Sequence, residues 1–274
     1  MRLTLRDDLG RTVTLPNGPA RRIVSLAPEV TENLFALGAG SLLVGVTTAD
    51  TYPAAALKIV KVGDFGQPSF ERIRALRPDL VIAASATIPR SEPDRLQQRL
   101  SGIPIFAQKS ARFADVLRHL QQLGAISGRS AEAQRLVAQM QAKAAQASKQ
   151  AAGKPKVTVF VEVSPSPLYA AGPGSFVDDL IQRAGGVNIV KGSNPFPVYS
   201  KEALLASNPQ HYVMAVGGDM NAAATTPAGL PAALASRLRA VKEGHVHRIS
   251  SDLLFRATPR LADGLMALTK ALHR

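Results

Sequence analysis

The sequence predicts an α/β protein of two similar lobes, each with a central, mostly parallel sheet, joined by a single long α-helix. Three observations predict it. Short β-rich runs alternate with helical patterns in both halves, as parallel sheets require. A motif recurs 131 residues on (202 − 71): Ser69, Glu71 and Pro78 ahead of the apolar run Leu80–Ala83, then Ser200, Glu202 and Pro209 ahead of Tyr212–Ala215. Between the halves, apolar residues at Ala133, Leu136, Val137, Met140, Ala144 and Ala147 keep helical spacing over residues 130–152, a rod of roughly 30 Å. The expected organisation is an N-terminal lobe over residues 1–126, a linking helix over 127–154 and a C-terminal lobe over 155–274.

In the first half, Arg22–Leu26 reads as a strand, Glu29–Leu37 as a helix stopped by Gly38, and Leu42–Thr47 as a strand. The Ser69 motif is a helix leading into a strand over Leu80–Ala84. Pro93–Leu100 is helical, Pro104–Ala107 extended, and Phe113–Ile126 a longer amphipathic helix. In both copies of the motif serine is a good N-cap, glutamate in the first turn complements the helix dipole, and proline marks where the helix has stopped.

Gly153 and Pro155 end the linking helix, and the alternation restarts. Val157–Val163 is a strand, Ser175–Ala184 a helix stopped by Gly185 and Gly186, and the Ser200 helix leads into the strand Tyr212–Val216. Pro231–Val241 reads as helix, His245–Ile249 as strand and Thr258–Leu272 as helix. Two proline-rich loops, Ser164–Tyr169 and Gly192–Pro197, each carry one aromatic residue and suit a preformed pocket wall.

The chain has 274 residues, 46% of them hydrophobic, enough to bury real cores. No apolar run reaches the ~18 residues of a membrane span, and the N-terminus lacks a secretory apolar core. The chain is therefore read either as cytoplasmic or as a protein whose export signal has been removed. With no cysteine, disulfides, thiolate metal sites and cysteine nucleophiles are excluded. The net charge of +13 is spread as +5, +5 and +3 over residues 1–126, 127–156 and 157–274. Without a basic block interleaved with aromatics, it reads as a solvated basic surface and no nucleic-acid partner is expected.

Catalytic motifs are lacking. Gly38 and Gly40 have Leu43 where a third glycine would complete a dinucleotide fingerprint, no Walker-type lysine motif occurs, and the glycines around Ser175 do not form a nucleophile elbow. His245 and His247 share one face of a strand but have no third ligand nearby in sequence, so no metal site is expected. His119 and His211 fall beside buried positions and read as structural. The adjacent pairs Asp7–Asp8 and Asp178–Asp179 point apart and form no acid–base couple.

Several stretches resemble the class III periplasmic substrate-binding proteins of ABC importers. They are Arg22–Glu32, Gly45–Val46, Tyr52–Pro53, Phe70–Ile73, Leu76–Val81, Ala184–Ile189 and the run from Ser250 to Arg260. The resemblance spans about Arg21 to Leu272 and implies Rossmann-like lobes joined by one helix. It also implies a small-molecule cargo held between them, an ABC importer permease dimer as partner, a monomer without catalytic cofactor, and a periplasmic or other extracytoplasmic location, free or membrane-anchored. An enzyme or metal-dependent regulator on a similar scaffold is the competing class.

The cobalamin-binding members are the most similar, which implies a metal-chelate macrocycle, a cobalamin or related corrinoid, as cargo. Where those relatives place aromatic residues, several of them Trp, this chain has Phe65, Phe196 and Leu253, while Tyr52, Asp252 and Arg256 remain as in the pattern. Gly66, Ser85 and Tyr169 complete the candidate cargo-binding residues. Haem and ferric siderophore are the alternative cargoes, with Tyr52, Tyr169 and Tyr199 as candidate iron ligands and Arg256 and Arg90 as partners for an anionic chelate. The resemblance further implies that Glu71 and Glu202 meet arginines on the two permease subunits. Exposed, equivalently placed carboxylates suit a two-fold partner.

Overall fold

The structure, a computed structural model, describes residues 2–84, 97–217 and 226–273. The chain divides into two compact units, Met1–Lys109 with Ala114–Ala138, and Ser110–Phe113 with Gln139–Arg274. The division falls inside one 22-residue helix, Ser130–Ala151. Its buried residues Ala133 and Val137 belong to the first unit and Met140, Ala144 and Ala147 to the second.

The first unit opens with an antiparallel hairpin, β1 (Leu3–Arg6) and β2 (Thr12–Leu15). Its turn is held by the Asp7 carboxylate, which accepts from the N–H groups of Leu9 and Arg11 at 3.0 and 2.9 Å. The main sheet is parallel, in the order β4 (Leu43–Gly45), β3 (Ile23–Ser25), β7 (Leu80–Ala84), β8 (Ile105–Gln108). Alternation puts Ile23, Leu80, Ile82 and Phe106 into one core, with Leu34, Leu123 and Ile126 from helices Pro28–Ala36 and Phe113–Ser127. Val24, Val81, Ala83, Ile105 and Ala107 enter the core on the other face, with Ile73 from the helix Phe70–Ala75. Burial on both faces is why these strands read as continuous apolar runs. A short hairpin, β5 (Gly63–Asp64) and β6 (Gln67–Pro68), precedes the Phe70–Ala75 helix.

The second unit is organised around β9 (Val157–Pro165). It pairs in parallel with β12 (His211–Val216), which pairs in parallel with β13 (Val246–Ser250). The other edge of β9 takes β11 (Gly186–Asn188) in parallel at its start and β10 (Leu168–Ala170) antiparallel at its end. Phe160, Leu168, Tyr212 and Met214 face one core, and Phe160 packs against Tyr212 and Tyr199 at ring separations of 5.2 and 5.3 Å.

Several expectations are corrected. Ser164–Tyr169 is a hairpin joining β9 to β10 and not a free loop, because Tyr169 pairs with Ser164. Pro231–Val241 is two short helices, Ala232–Ala235 and Arg239–Lys242. They break at Leu238, whose backbone is extended and whose side chain is buried, and the Arg239 N–H is held by Asn208 Oδ1 at 2.6 Å. The last helix starts at Leu261 and not at Thr258, and a short helix Ser251–Leu254, where none is expected, precedes it. The expected helix Pro93–Leu100 lies partly, and Ser85 and Arg90 wholly, outside the described residues.

Candidate functional site

The repeated motif has the same local build in both copies. Ser69 accepts from the Arg72 N–H and Ser200 from the Ala203 N–H, each capping a short helix. Glu71 and Glu202 stand in the first turns, both exposed. Each segment then meets its proline through a residue with positive φ, Arg77 at 45° and Asn208 at 42°. Among the described residues neither glutamate takes an ion pair or side-chain hydrogen bond. Each is thus an accessible charge at a fixed place on its own unit.

In the first unit, Tyr52 and Phe65 keep 50% and 47% of their surface exposed, so neither is a core residue. Their segments are tied together. The Thr48 N–H donates to the Gly63 carbonyl at 3.0 Å and the Thr48 hydroxyl to Asp64 at 2.6 Å. Phe65 and Gly66 form the two-residue turn between β5 and β6, and Gly66 has φ of 82° with open space where a side chain would point. Two residues before Tyr52, the fully buried Asp50 accepts from both the N–H and the hydroxyl of Thr47. Burial pushes its carboxyl up, against the opposing hydrogen bonds from Thr47 and the charge of Lys61.

In the second unit, Tyr169 on β10 and Phe196 stay 37% and 36% exposed. The chain around Phe196 is laced to β10, with Ala170 N–H to Pro197 O at 3.0 Å, Gly172 N–H to Pro195 O at 2.9 Å and Tyr199 N–H to Leu168 O at 2.8 Å. Such close approach needs Gly172, since a Cβ there would meet the Asn194 carbonyl at 2.5 Å. Tyr199 packs its ring against Phe160, with its hydroxyl 3.3 Å from Ser207.

Asp252 and Leu253 lie in the helix Ser251–Leu254, which follows β13 directly. Asp252 accepts from Arg256 Nε at 2.9 Å and from Arg260 at 3.5 Å, and the Ser251 hydroxyl donates to the Gly217 carbonyl at 2.5 Å. Gly264 lets the last helix pack here, because a Cβ would sit 2.0 Å from the Leu253 carbonyl oxygen. Sequence reading missed Gly264 and Gly172. Their signal was a glycine inside a helical pattern and another next to a strand, places where close backbone approach is the usual reason.

Asp8, Asp178 and Asp179 serve the fold. The carboxylate of Asp8 accepts from Lys109 N–H at 2.6 Å and lies 2.6 Å from His119 Nε2, with Arg118 also bound. Burial works against its charge, but His119, Arg118 and Lys109 outweigh it and hold the carboxyl well below the usual range. Asp178 is bonded by Asn188, and Asp179 by Arg183 and the Phe113 N–H. Among the described residues no group of three or more His, Asp or Glu side chains is placed to hold a metal ion, and no helix is long and apolar enough to cross a membrane.

With paired parallel α/β units and these surfaces in place, comparison with known proteins defines the class. Residues 23–253 match the family model described as periplasmic binding protein, and the chain belongs to that family, as a class III member and a substrate-binding protein of ABC transport. It is 30% identical over 250 residues to a vitamin B12-binding protein of Vibrio campbellii, covering 91% of this chain and 88% of that protein. It is 30% identical over 276 residues to an uncharacterised ABC transporter substrate-binding lipoprotein, YvrC, of Bacillus subtilis, covering 99% and 85%. Among solved structures it is similar to the periplasmic vitamin B12-binding protein BtuF of Vibrio cholerae, with a TM-score of 0.80, 28% identity and coverage of 93% and 97%. A periplasmic haem-binding protein of Pseudomonas aeruginosa gives a TM-score of 0.77, 26% identity and 93% coverage of each chain.

Proposed function

We propose that this substrate-binding protein captures a corrinoid, cobalamin or a close relative, and delivers it outside the cytoplasm to the permease dimer of an ABC importer. The observation that carries the reading is the set of partly exposed aromatic rings, Tyr52 and Phe65 in one unit and Tyr169 and Phe196 in the other, all on segments pinned by hydrogen bonds. A flat macrocycle needs rigid apolar surfaces with few polar groups, and rings held in place lose little entropy when it binds. Asp252 and Arg256 supply the polar groups, fixed by their mutual bond. The likeness to B12-binding proteins supports the same cargo.

Function here is binding and release without covalent chemistry. Glu71 and Glu202 are the docking points, and their equivalent placement in the repeat suits two equivalent permease subunits. Haem is the second reading. It is favoured by the half-exposed Tyr52 and by the likeness to a haem-binding protein. Replacement of Tyr169 and Phe196 by Ala tests the site. Each should weaken cobalamin binding about tenfold, equivalent to about 1.4 kcal/mol, with unchanged thermal stability; unchanged affinity in both variants contradicts the assignment.

A further inference from the structure

Three histidines meet where β12 and β13 begin. Tyr212 pairs with Val246 and Val213 with His247, and the Tyr212 N–H donates to the His245 carbonyl at 3.0 Å. This parallel register brings His211 to the face shared by His245 and His247. The rings of His211 and His245 stack with centroids 4.5 Å apart and planes within 1°. His211 Nδ1 lies 3.0 Å from His247 Nε2, and the two rings are inclined by only 13°. His211 is buried, at 6% exposure.

The nitrogen-to-nitrogen contact carries the argument. It needs one N–H and one bare nitrogen, so it survives with one proton shared between the rings and is lost when both rings are fully protonated. A second charge would then face the first across the stack. Metal binding does not explain the cluster, because the planes lie parallel and no three donors are placed around a common point.

We propose that His211, His245 and His247 form an acid-sensitive clasp, which fastens the terminal strand β13 to β12 when neutral and loosens it when the cluster takes up protons. The charges bearing on His211 come from every neighbouring element. His245 and His247 on the β13 segment and His273 after the last helix oppose its protonation, and Glu243 before β13 favours it. Glu243 is already engaged by Arg239 Nε at 2.8 Å and lies 3.5 Å from His245 Nδ1.

Burial first, then those three histidines, pull His211 down to about 4. An imidazole in the unfolded chain takes its proton at about 6.5. The clasp therefore contributes fully above that pH, weakens as pH falls towards about 4, and weakens no further below it.

The test is amide hydrogen exchange on the intact protein at about pH 7.5 and about pH 5, corrected for intrinsic rates, with His211→Gln and His245→Gln beside the wild type. The wild type should lose protection selectively along Val246–Ser250 in acid, while β3 and β7 stay protected. His211→Gln should abolish most of that selective loss and His245→Gln part of it, and His245, half-exposed, is the replacement that spares the fold if His211→Gln does not. Unchanged β13 protection in the wild type, or the same loss in a folded variant, overturns the proposal. So does saturable zinc binding that requires His211, which would make the cluster a metal site.

Discussion

The hydroxyl of Tyr212 donates to the carboxylate of Glu162 at 2.5 Å, from β12 to β9. The same oxygen accepts from the Ala228 N–H at 2.7 Å, and Glu162 is fully buried. A carboxylate taken out of water must be hydrogen-bonded, and here it joins two strands and the turn Pro227–Gly229. Burial, and then the charge and hydrogen bond of Glu162, raise the phenol far above its ordinary pKa, so Tyr212 stays a donor. Tyr212→Phe should lower stability by about 2 kcal/mol in denaturant unfolding. No loss would show that the bond contributes little.

Ser69 and Ser200 cap their helices through hydrogen bonds to the N–H groups of Arg72 and Ala203. Ser69→Ala and Ser200→Ala should each cost about 1 kcal/mol, with Asp in place of Ser restoring most of it. Equal stability of the Ala and Asp variants would remove the caps from the account.

Gly264 and Gly66 differ in kind. An alanine at 264 would drive a methyl group onto the Leu253 carbonyl, whereas at 66 it meets open space but keeps φ of 82°. Gly264→Ala should cost about 2 to 3 kcal/mol and Gly66→Ala about 1 to 2 kcal/mol, read as melting temperatures. The reverse order would contradict the packing described around Leu253.

Much of this was legible in the sequence because alternation and capping are local. Leu80–Ala84 is a buried strand, Gly38 stops the first helix with φ of 69°, and both serines of the repeat are caps. What was not legible depended on tertiary partners. The hairpin β1–β2 has a clear period of two, but its turn is secured by Asp7. The break at Leu238 follows from burial of that residue and from Asn208, which holds the N–H of Arg239 from thirty-one positions away. His211 joined His245 and His247 only through strand register, and the exposure of Tyr169 and Phe196 and the contact of Tyr199 with Phe160 were settled by packing.

The docking role proposed for Glu71 and Glu202 predicts a separation of functions. Glu71→Arg and Glu202→Arg should leave cargo affinity unchanged and abolish stimulation of the importer's ATPase in reconstituted vesicles, because charge reversal turns attraction to a basic permease site into repulsion. Full stimulation by both variants would reduce these residues to helix-dipole charges.

The most direct measurement is a titration of the purified protein with cobalamin, haemin and a ferric siderophore, followed by absorbance and by thermal stabilisation, which grows with ligand in excess of Kd. The account predicts saturable one-to-one binding of cobalamin, tighter than either alternative and weakened by Phe196→Ala. Preference for haemin or the siderophore would contradict the corrinoid assignment, and binding of none of the three would contradict a metal-chelate cargo altogether.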